Sequence, residues 1–279
     1  MNKISVILLI YNRPDYYTEA LDSLKAENSD FELVIVANIQ IDYDLSVFPD
    51  VKIIPSPDNL LEAYLSGMEV ARYNAVAFLD DDDRFVQSKI LYLEEQNIDG
   101  YYHNEYTDFG SKEAHNNGKG FNMSSIAINR EKYSGLNDLV NEYPELGYMP
   151  DSVIYWYALE HHLPIFIDDA KLTYYRHKQF SDLYHNLGVG LQKQISCLNI
   201  ARKVFSEPKV QEIVREGIVQ NQIYLNSTGS YKKVPFRELI WLLHRPVIQK
   251  KSKILAYFLS FPLWHGFGIR IMQRWRVRR

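Results

Sequence analysis

Four short apolar runs constrain this chain more than anything else in it. They are "ISVILLI" at 4–10, "FELVIVA" at 31–37, "VKIIPS" at 51–56 and "AVAFLD" at 75–80. Continuous β-branched runs of this length read as strands buried on both faces. Helical patterns separate them. Pro14 and Asp15 open a segment with Tyr17, Ala20, Leu21 and Leu24 at helical spacing, and "NLLEAYLSGMEVARY" forms a second. Strands alternating with helices imply an α/β chain with a mostly parallel, doubly wound sheet. In such sheets ligands bind beyond the carboxyl ends of the strands.

At that end of the fourth run stands "FLDDDDRF", with Asp80, Asp81, Asp82 and Asp83 in a row. Four adjacent carboxylates repel one another. A hard cation such as Mg²⁺ or Mn²⁺ would neutralise them and offer open coordination positions to a diphosphate. A solvated charged turn is the other reading, and the cluster alone leaves the two balanced.

Residues 98–180 follow an α+β pattern. "DGYYHNEYTDF" and "FNMSSIAINREKY" read as strands around the polar loop "KEAHNNGKG". "PDSVIYWYALEHH" reads as a helix opened by Pro150 and Asp151, and "IFIDDAKLTYYRH" as a strand or strand pair. From Ser181 the pattern is helical, with Leu187, Leu191, Ile195, Leu198 and Val204 on one stripe. This divides the chain into 1–180 and a helical, basic extension at 181–279. Cys197 is the only cysteine, which excludes an internal disulfide and a thiolate metal cage and makes a cytoplasmic setting the default.

Charge is unevenly spread. Residues 231–279 hold 12 Lys/Arg and one acid, Glu238, within a chain of net charge −4. The longest apolar run there, "ILAYFLSFPLW", contains Pro262. A membrane span needs roughly 20 apolar residues, so the tail reads as helices lying on an anionic membrane surface, with a basic cap packed on the body as the alternative. It has no recognisable nucleic-acid-binding module, and its bulky apolar content favours lipid.

"YNRP" after the first strand, a strand and helix further on, and then "AFLDDDD" together resemble family 2 glycosyltransferases of the GT-A fold. The resemblance covers about residues 3–180, with 1–97 as the nucleotide-sugar half and 98–180 as the acceptor half. It implies an inverting enzyme using Mn²⁺ or Mg²⁺ and a UDP- or GDP-sugar. Tyr11, Asn12, Arg13 and Asn38 would line the donor site. Asp80 and Asp81 also fall there, with Asp80 on ribose or metal. Asp82 would hold the cation, leaving Asp81 and Asp83 as supporting groups. Gly67 and Glu69 match a "G-x-E" in the preceding helix, and "INREKYSGLNDL" resembles the acceptor-side segment. Asp151 aligns with the catalytic base that opens a later helix, although a cap is the plain reading of an acid there. "YYRH" matches a strand end, placing Arg176 on the diphosphate and His177 as a cation ligand.

Some family positions differ. Ala37 and Asn38 stand where an aspartate usually ends the second strand, Leu61 replaces a turn glycine, and Tyr64 and Leu65 replace an Arg-Asn pair. These keep a divergent or non-catalytic sugar-nucleotide-binding, membrane-peripheral protein in view. A nucleotidyltransferase fits less well, because "LLIYNRPDYY" lacks a glycine-rich basic signature. The resulting expectation is a glycosyltransferase, peripheral on the inner face of the cell membrane, acting on a glycan or lipid-linked acceptor.

Overall fold

The computed structural model describes residues 3–109, 117–118, 122–176, 187–227 and 234–243. The chain divides into two compact units, Met1–Gln179 and Phe180–Arg279.

The first unit is built on one sheet. Its strands are β1 (Ile4–Ile10), β2 (Glu32–Ala37), β3 (Val51–Pro55), β4 (Ala75–Asp80), β5 (Arg84–Phe85), β6 (Tyr101–Phe109), β7 (Asn117–Gly118), β8 (Ile126–Asn129) and β9 (Ile165–Arg176). Their order is β3-β2-β1-β4-β8-β6-β9-β5, with β7 paired to β6. β3, β2, β1 and β4 run parallel. β8 is antiparallel to β4 and β6, whereas β9 returns parallel to β6. All seven residues of β1 are buried, as its unbroken apolar run requires.

Helices cover both faces. α1 (Tyr17–Lys25) and α3 (Lys89–Glu95) pack on one, where Tyr17, Leu21, Leu24, Ile90 and Leu93 join Ile4, Val6, Leu8 and Ile10 in a single core. α2 (Leu60–Val70) lies on the other, capped by the Asn59 side chain, which accepts from the N–H groups of Leu61 and Glu62. A Cβ at Gly67 would stand 2.7 Å from Ile7 Cγ2 and 3.0 Å from Val36 Cγ2. Only glycine lets this helix approach β1 and β2 so closely. α4 (Leu136–Glu142) and α5 (Pro150–Glu160) complete the unit.

Several boundaries differ from the sequence reading. α1 starts at Tyr17, two residues beyond Asp15. "FNMSSIAINREKY" supplies only the four-residue β8, flanked by 3-10 turns at Met123–Ser125 and Arg130–Tyr133. Sequence reasoning passed over α3 and α4, which have seven residues each and too few turns for a clear period.

In the second unit, α6 (Leu187–Val204) and α7 (Pro208–Ser227) pack together, with Leu198 against Gly217. Leu191, Ile195 and Leu198 from the expected stripe are buried and Val204 is half-buried. α8 (Phe236–Leu243) is tied to α7 by an Arg215–Glu238 ion pair of 2.8 Å and by Arg215 lying 4.1 Å over the Trp241 ring. Among the described residues no helix is long and apolar enough to cross a membrane. Most of the basic tail, from residue 244, lies outside the described residues.

Candidate active site

The chain leaves β1 toward β2 on one side and comes back from β3 to β4 on the other. That reversal makes the carboxyl ends of β1 and β4 the switch point of the sheet, where open α/β sheets bind ligands. "YNRP" and "DDDD" both lie there.

The four aspartates separate into different environments. Asp80 ends β4. Its Oδ1 accepts the Tyr64 hydroxyl from α2, and its backbone N–H donates to Ser124 Oγ at 2.9 Å. Asp81 is fully buried and turned toward β1. It accepts the Tyr11 N–H at 3.0 Å and pairs with Arg13 Nε at 3.0 Å. Asp82 Oδ2 meets Arg13 Nη1 at 2.5 Å. Asp83 is 1% exposed; its Oδ1 accepts the Arg176 N–H at 2.8 Å, and its Oδ2 has no hydrogen-bond partner. Asp80, Asp82 and Asp83 each bring a carboxylate oxygen within 4.8 Å of the others. Sequence reasoning set Asp83 aside with Asp81. The structure instead brings Asp83 to the cluster and buries Asp81 beside Arg13. The tight turn after β4 turns Asp81 away from the other three, and no sequence signal distinguished it.

Crowding and burial act on these groups. Burial first, and then the Asp82 charge, push the Asp80 carboxyl up to about 6, against the pull of Tyr64 and Arg13. Burial pushes Asp81 up to about 7 despite Arg13 and the Tyr11 N–H. Asp83 is driven well above the usual carboxylate range by burial and by Asp80 and Asp82.

The other predicted residues take definite places. Asn12, at φ 56°, and Asn38 form a reciprocal amide pair at the ends of β1 and β2. Asn12 N–H donates to Asn38 Oδ1, and Asn38 Nδ2 donates to Asn12 Oδ1, both at 2.9 Å. The Tyr11 hydroxyl donates to the Asp58 carbonyl at 3.1 Å. The Arg176 guanidinium meets the Asp82 carbonyl at 3.0 Å from Nε, Glu19 at 2.6 Å, and the Tyr16 ring at 4.9 Å. It therefore holds the acidic turn against α1. His177 lies outside the described residues.

Asp151 sits in the first turn of α5, two residues after the N-cap Met149. Its Oδ1 accepts the Ser152 N–H at 2.6 Å. Burial raises its carboxyl above the usual range, with Ser152 pulling the other way. Asp151 is close enough to Asp80 for its charge to help push that carboxyl up.

Tyr64 and Ser124 were not singled out as site residues. Tyr64 stood at a position where the family pattern has arginine, and Ser124 lies 44 residues from the aspartate it touches.

Two comparisons bear on this arrangement. Residues 5–100 match the model of "Glycosyl transferase family 2". The structure of S. aureus TarS 1–349 in complex with UDP-GlcNAc aligns at a TM-score of 0.56 and 14% identity, covering 96% of this chain and 88% of that one. A second S. aureus TarS 1–349 structure aligns at 0.53 and 14% identity, covering 93% and 81%. At that identity the likeness establishes the fold. A comparison with curated proteins found no match. Over residues 5–100 the chain thus resembles family 2 glycosyltransferases, and the sheet built on that segment has the GT-A fold of the TarS structures.

Proposed function

We propose that the chain transfers a sugar from a nucleotide-diphosphate sugar to an acceptor hydroxyl, with inversion at the anomeric carbon. The observation that carries this reading is the convergence of Asp80, Asp82 and Asp83 at the carboxyl end of β4. The UDP-GlcNAc bound by the TarS neighbour supports a UDP-sugar as donor, with a GDP-sugar as the other candidate.

The donor set fits a hard divalent cation. It is all carboxylate oxygen, and the buried Asp83 Oδ2 has no hydrogen-bond partner in the protein. Asp80, Asp82 and Asp83 would hold Mn²⁺ or Mg²⁺, with His177 as a further proposed ligand. Bound there, the cation would act as a Lewis acid for charge developing on the leaving diphosphate.

The chain's own groups do the rest. Asn12 and Asn38 keep each other's amides fixed at the ends of β1 and β2, ready to meet base and ribose. Arg13 neutralises Asp81 and Asp82 and stands where the donor enters. Arg176 holds the acidic turn in place by its contacts with Asp82 and Asp83. Asp151 takes the proton from the attacking hydroxyl; its raised pKa makes it a stronger base than an ordinary aspartate.

The 12 Lys/Arg of residues 231–279 support contact with an anionic leaflet, at about 1 kcal/mol per basic residue near the surface. A lipid-linked or cell-surface glycan acceptor fits that location. Vesicle co-sedimentation should weaken with salt and on deletion after Ser230; equal binding to neutral and anionic vesicles would sink this part.

The central test is a thermal-shift series with UDP- and GDP-sugars, with and without Mn²⁺. A ligand at 100 times its Kd stabilises by about 2.7 kcal/mol. A Mn²⁺-dependent rise in Tm with one donor class is expected. No shift with any nucleotide sugar, with either cation, would overturn the proposal.

A further inference from the structure

Behind the aspartates lies a buried polar network that the reaction does not use. Ser124, in the 3-10 turn Met123–Ser125, is fully buried. Its hydroxyl accepts the Asp80 N–H and stands beside the Asp83 carboxyl, where it favours the ionised form. Its carbonyl accepts from Lys89 Nζ at 2.6 Å and from Thr173 Oγ1 at 3.0 Å. Lys89 Nζ also donates to Thr173 Oγ1 at 2.9 Å and lies 4.1 Å over the Phe85 ring. Asn104 Nδ2 donates to the same threonine oxygen at 3.1 Å. The Thr173 hydroxyl therefore uses its donor and both lone pairs.

A buried ammonium is costly, and the first turn of a helix is a poor place for a cation. Lys89 occupies both situations, in the first turn of α3. Burial pushes its ammonium down to about 7, while Glu27 and Asp83 pull the other way. The network ends on the residue that touches Asp80 and flanks Asp83, and Thr173 lies three residues before Arg176 on β9, whose N–H holds Asp83.

We propose that Ser124, fixed by Lys89 and Thr173, is a positioning residue that sets Asp80 and Asp83 at the separation a divalent cation needs. This rests on the reading of the acidic cluster as a cation site. Groups that orient metal ligands from behind typically change metal affinity by roughly 10- to 100-fold when removed.

The test is Mn²⁺ titration of the full chain, followed by the electron paramagnetic resonance of free Mn²⁺, with Tm recorded in parallel. Ser124→Ala should weaken Mn²⁺ binding by roughly 10- to 100-fold, and Lys89→Met should weaken it too. Ser125→Ala is the control. It removes the neighbouring buried hydroxyl, which has no hydrogen-bond partner, and should leave Mn²⁺ affinity unchanged. A Ser124→Ala protein with lower Tm but wild-type affinity would make the network a packing strut and overturn the inference. Equal weakening by Ser125→Ala would also overturn it. Wild-type protein that binds no Mn²⁺ would remove the cation reading and this inference together, a result distinct from either variant outcome.

Discussion

The two halves of the sheet divide the work of the site. β1 to β4 form a parallel block joined by short local crossovers, and they deliver Tyr11, Asn12, Arg13, Asn38 and the aspartates. β6, β8 and β9 mix directions and join residues far apart in sequence. That second half, with α5, delivers Ser124, Thr173, Arg176 and Asp151. The first half supplies most of the charge; the second decides where the charge points. The family match ends at residue 100, close to the border between them.

The largest expected effect tests whether the second half also supplies chemistry. Asp151→Asn should lower kcat by roughly 10²- to 10⁴-fold, the usual worth of a general base, with donor affinity nearly unchanged. Full turnover in this variant would confine the second half to scaffolding.

Next comes the division within the acidic turn. Asp83→Asn should weaken Mn²⁺ binding by at least about tenfold, as loss of an oxygen ligand implies, because its carboxylate joins Asp80 and Asp82. Asp81→Asn should leave Mn²⁺ affinity close to wild type, since Asp81 faces Arg13 and the Tyr11 N–H. The reverse ranking would return Asp83 to a bystander's role.

Gly67→Ala probes how tightly the first half is packed. The new methyl would press on Ile7 and Val36, and overpacking of this kind costs about 1–3 kcal/mol. A urea midpoint equal to wild type would show that α2 can shift freely.

The smallest effect is electrostatic. Burial, with neighbouring charge, raises the Asp80 and Asp81 carboxyls from 3.8 to about 6 and about 7; the experiment uses EDTA-treated protein. Between about pH 4 and 7 the folded form holds protons that the unfolded chain has lost, so these groups make stability fall as pH rises through that window. Tm should be a few degrees higher at pH 5 than at pH 7.5, at roughly 2–4 °C per kcal/mol for a chain of this size. Saturating Mn²⁺ should remove most of the difference. A Tm that climbs from pH 5 to 7.5 without metal would mean that the cluster is better compensated than its burial implies.

The sequence made the first half legible because its signals are local. Apolar runs, Pro14, Pro55 and the acids after "AFL" each speak within a few residues. The second half depends on pairings that no local pattern encodes. β8 keeps four residues of a thirteen-residue stretch, with Ile126, Ala127 and Ile128 paired to β6 and Ala127, Ile128 and Asn129 paired to β4. Tyr64 looked like the loss of a cationic contact, yet its hydroxyl takes up the Asp80 carboxylate. Arg176, expected on the diphosphate, sets its guanidinium against Glu19 and the Asp82 carbonyl, contacts that no local pattern announced. Asp81 and Asp83 are the same residue in nearly the same context, and only the turn geometry tells them apart.

β9 runs parallel to β6 from Tyr101↔Ile165 to Asn104↔Asp168, then resumes at Glu105↔Lys171 and Tyr106↔Thr173. Asp169, Ala170 and Leu172 are extra. Asp168 pins the start of this irregularity by accepting the Tyr92 and Tyr102 hydroxyls, at 2.7 and 2.8 Å, and the Ala170 N–H at 2.9 Å. Three is an odd number, and side chains alternate along a strand. A shift of one residue therefore sends every later side chain to the opposite face. Deleting a single residue between 169 and 172 would turn Thr173 away from Lys89 and carry the Arg176 N–H out of register with Asp83. This strand is thus sensitive to its length as well as to its side chains, and a change in chain length there would retune the site in whole steps.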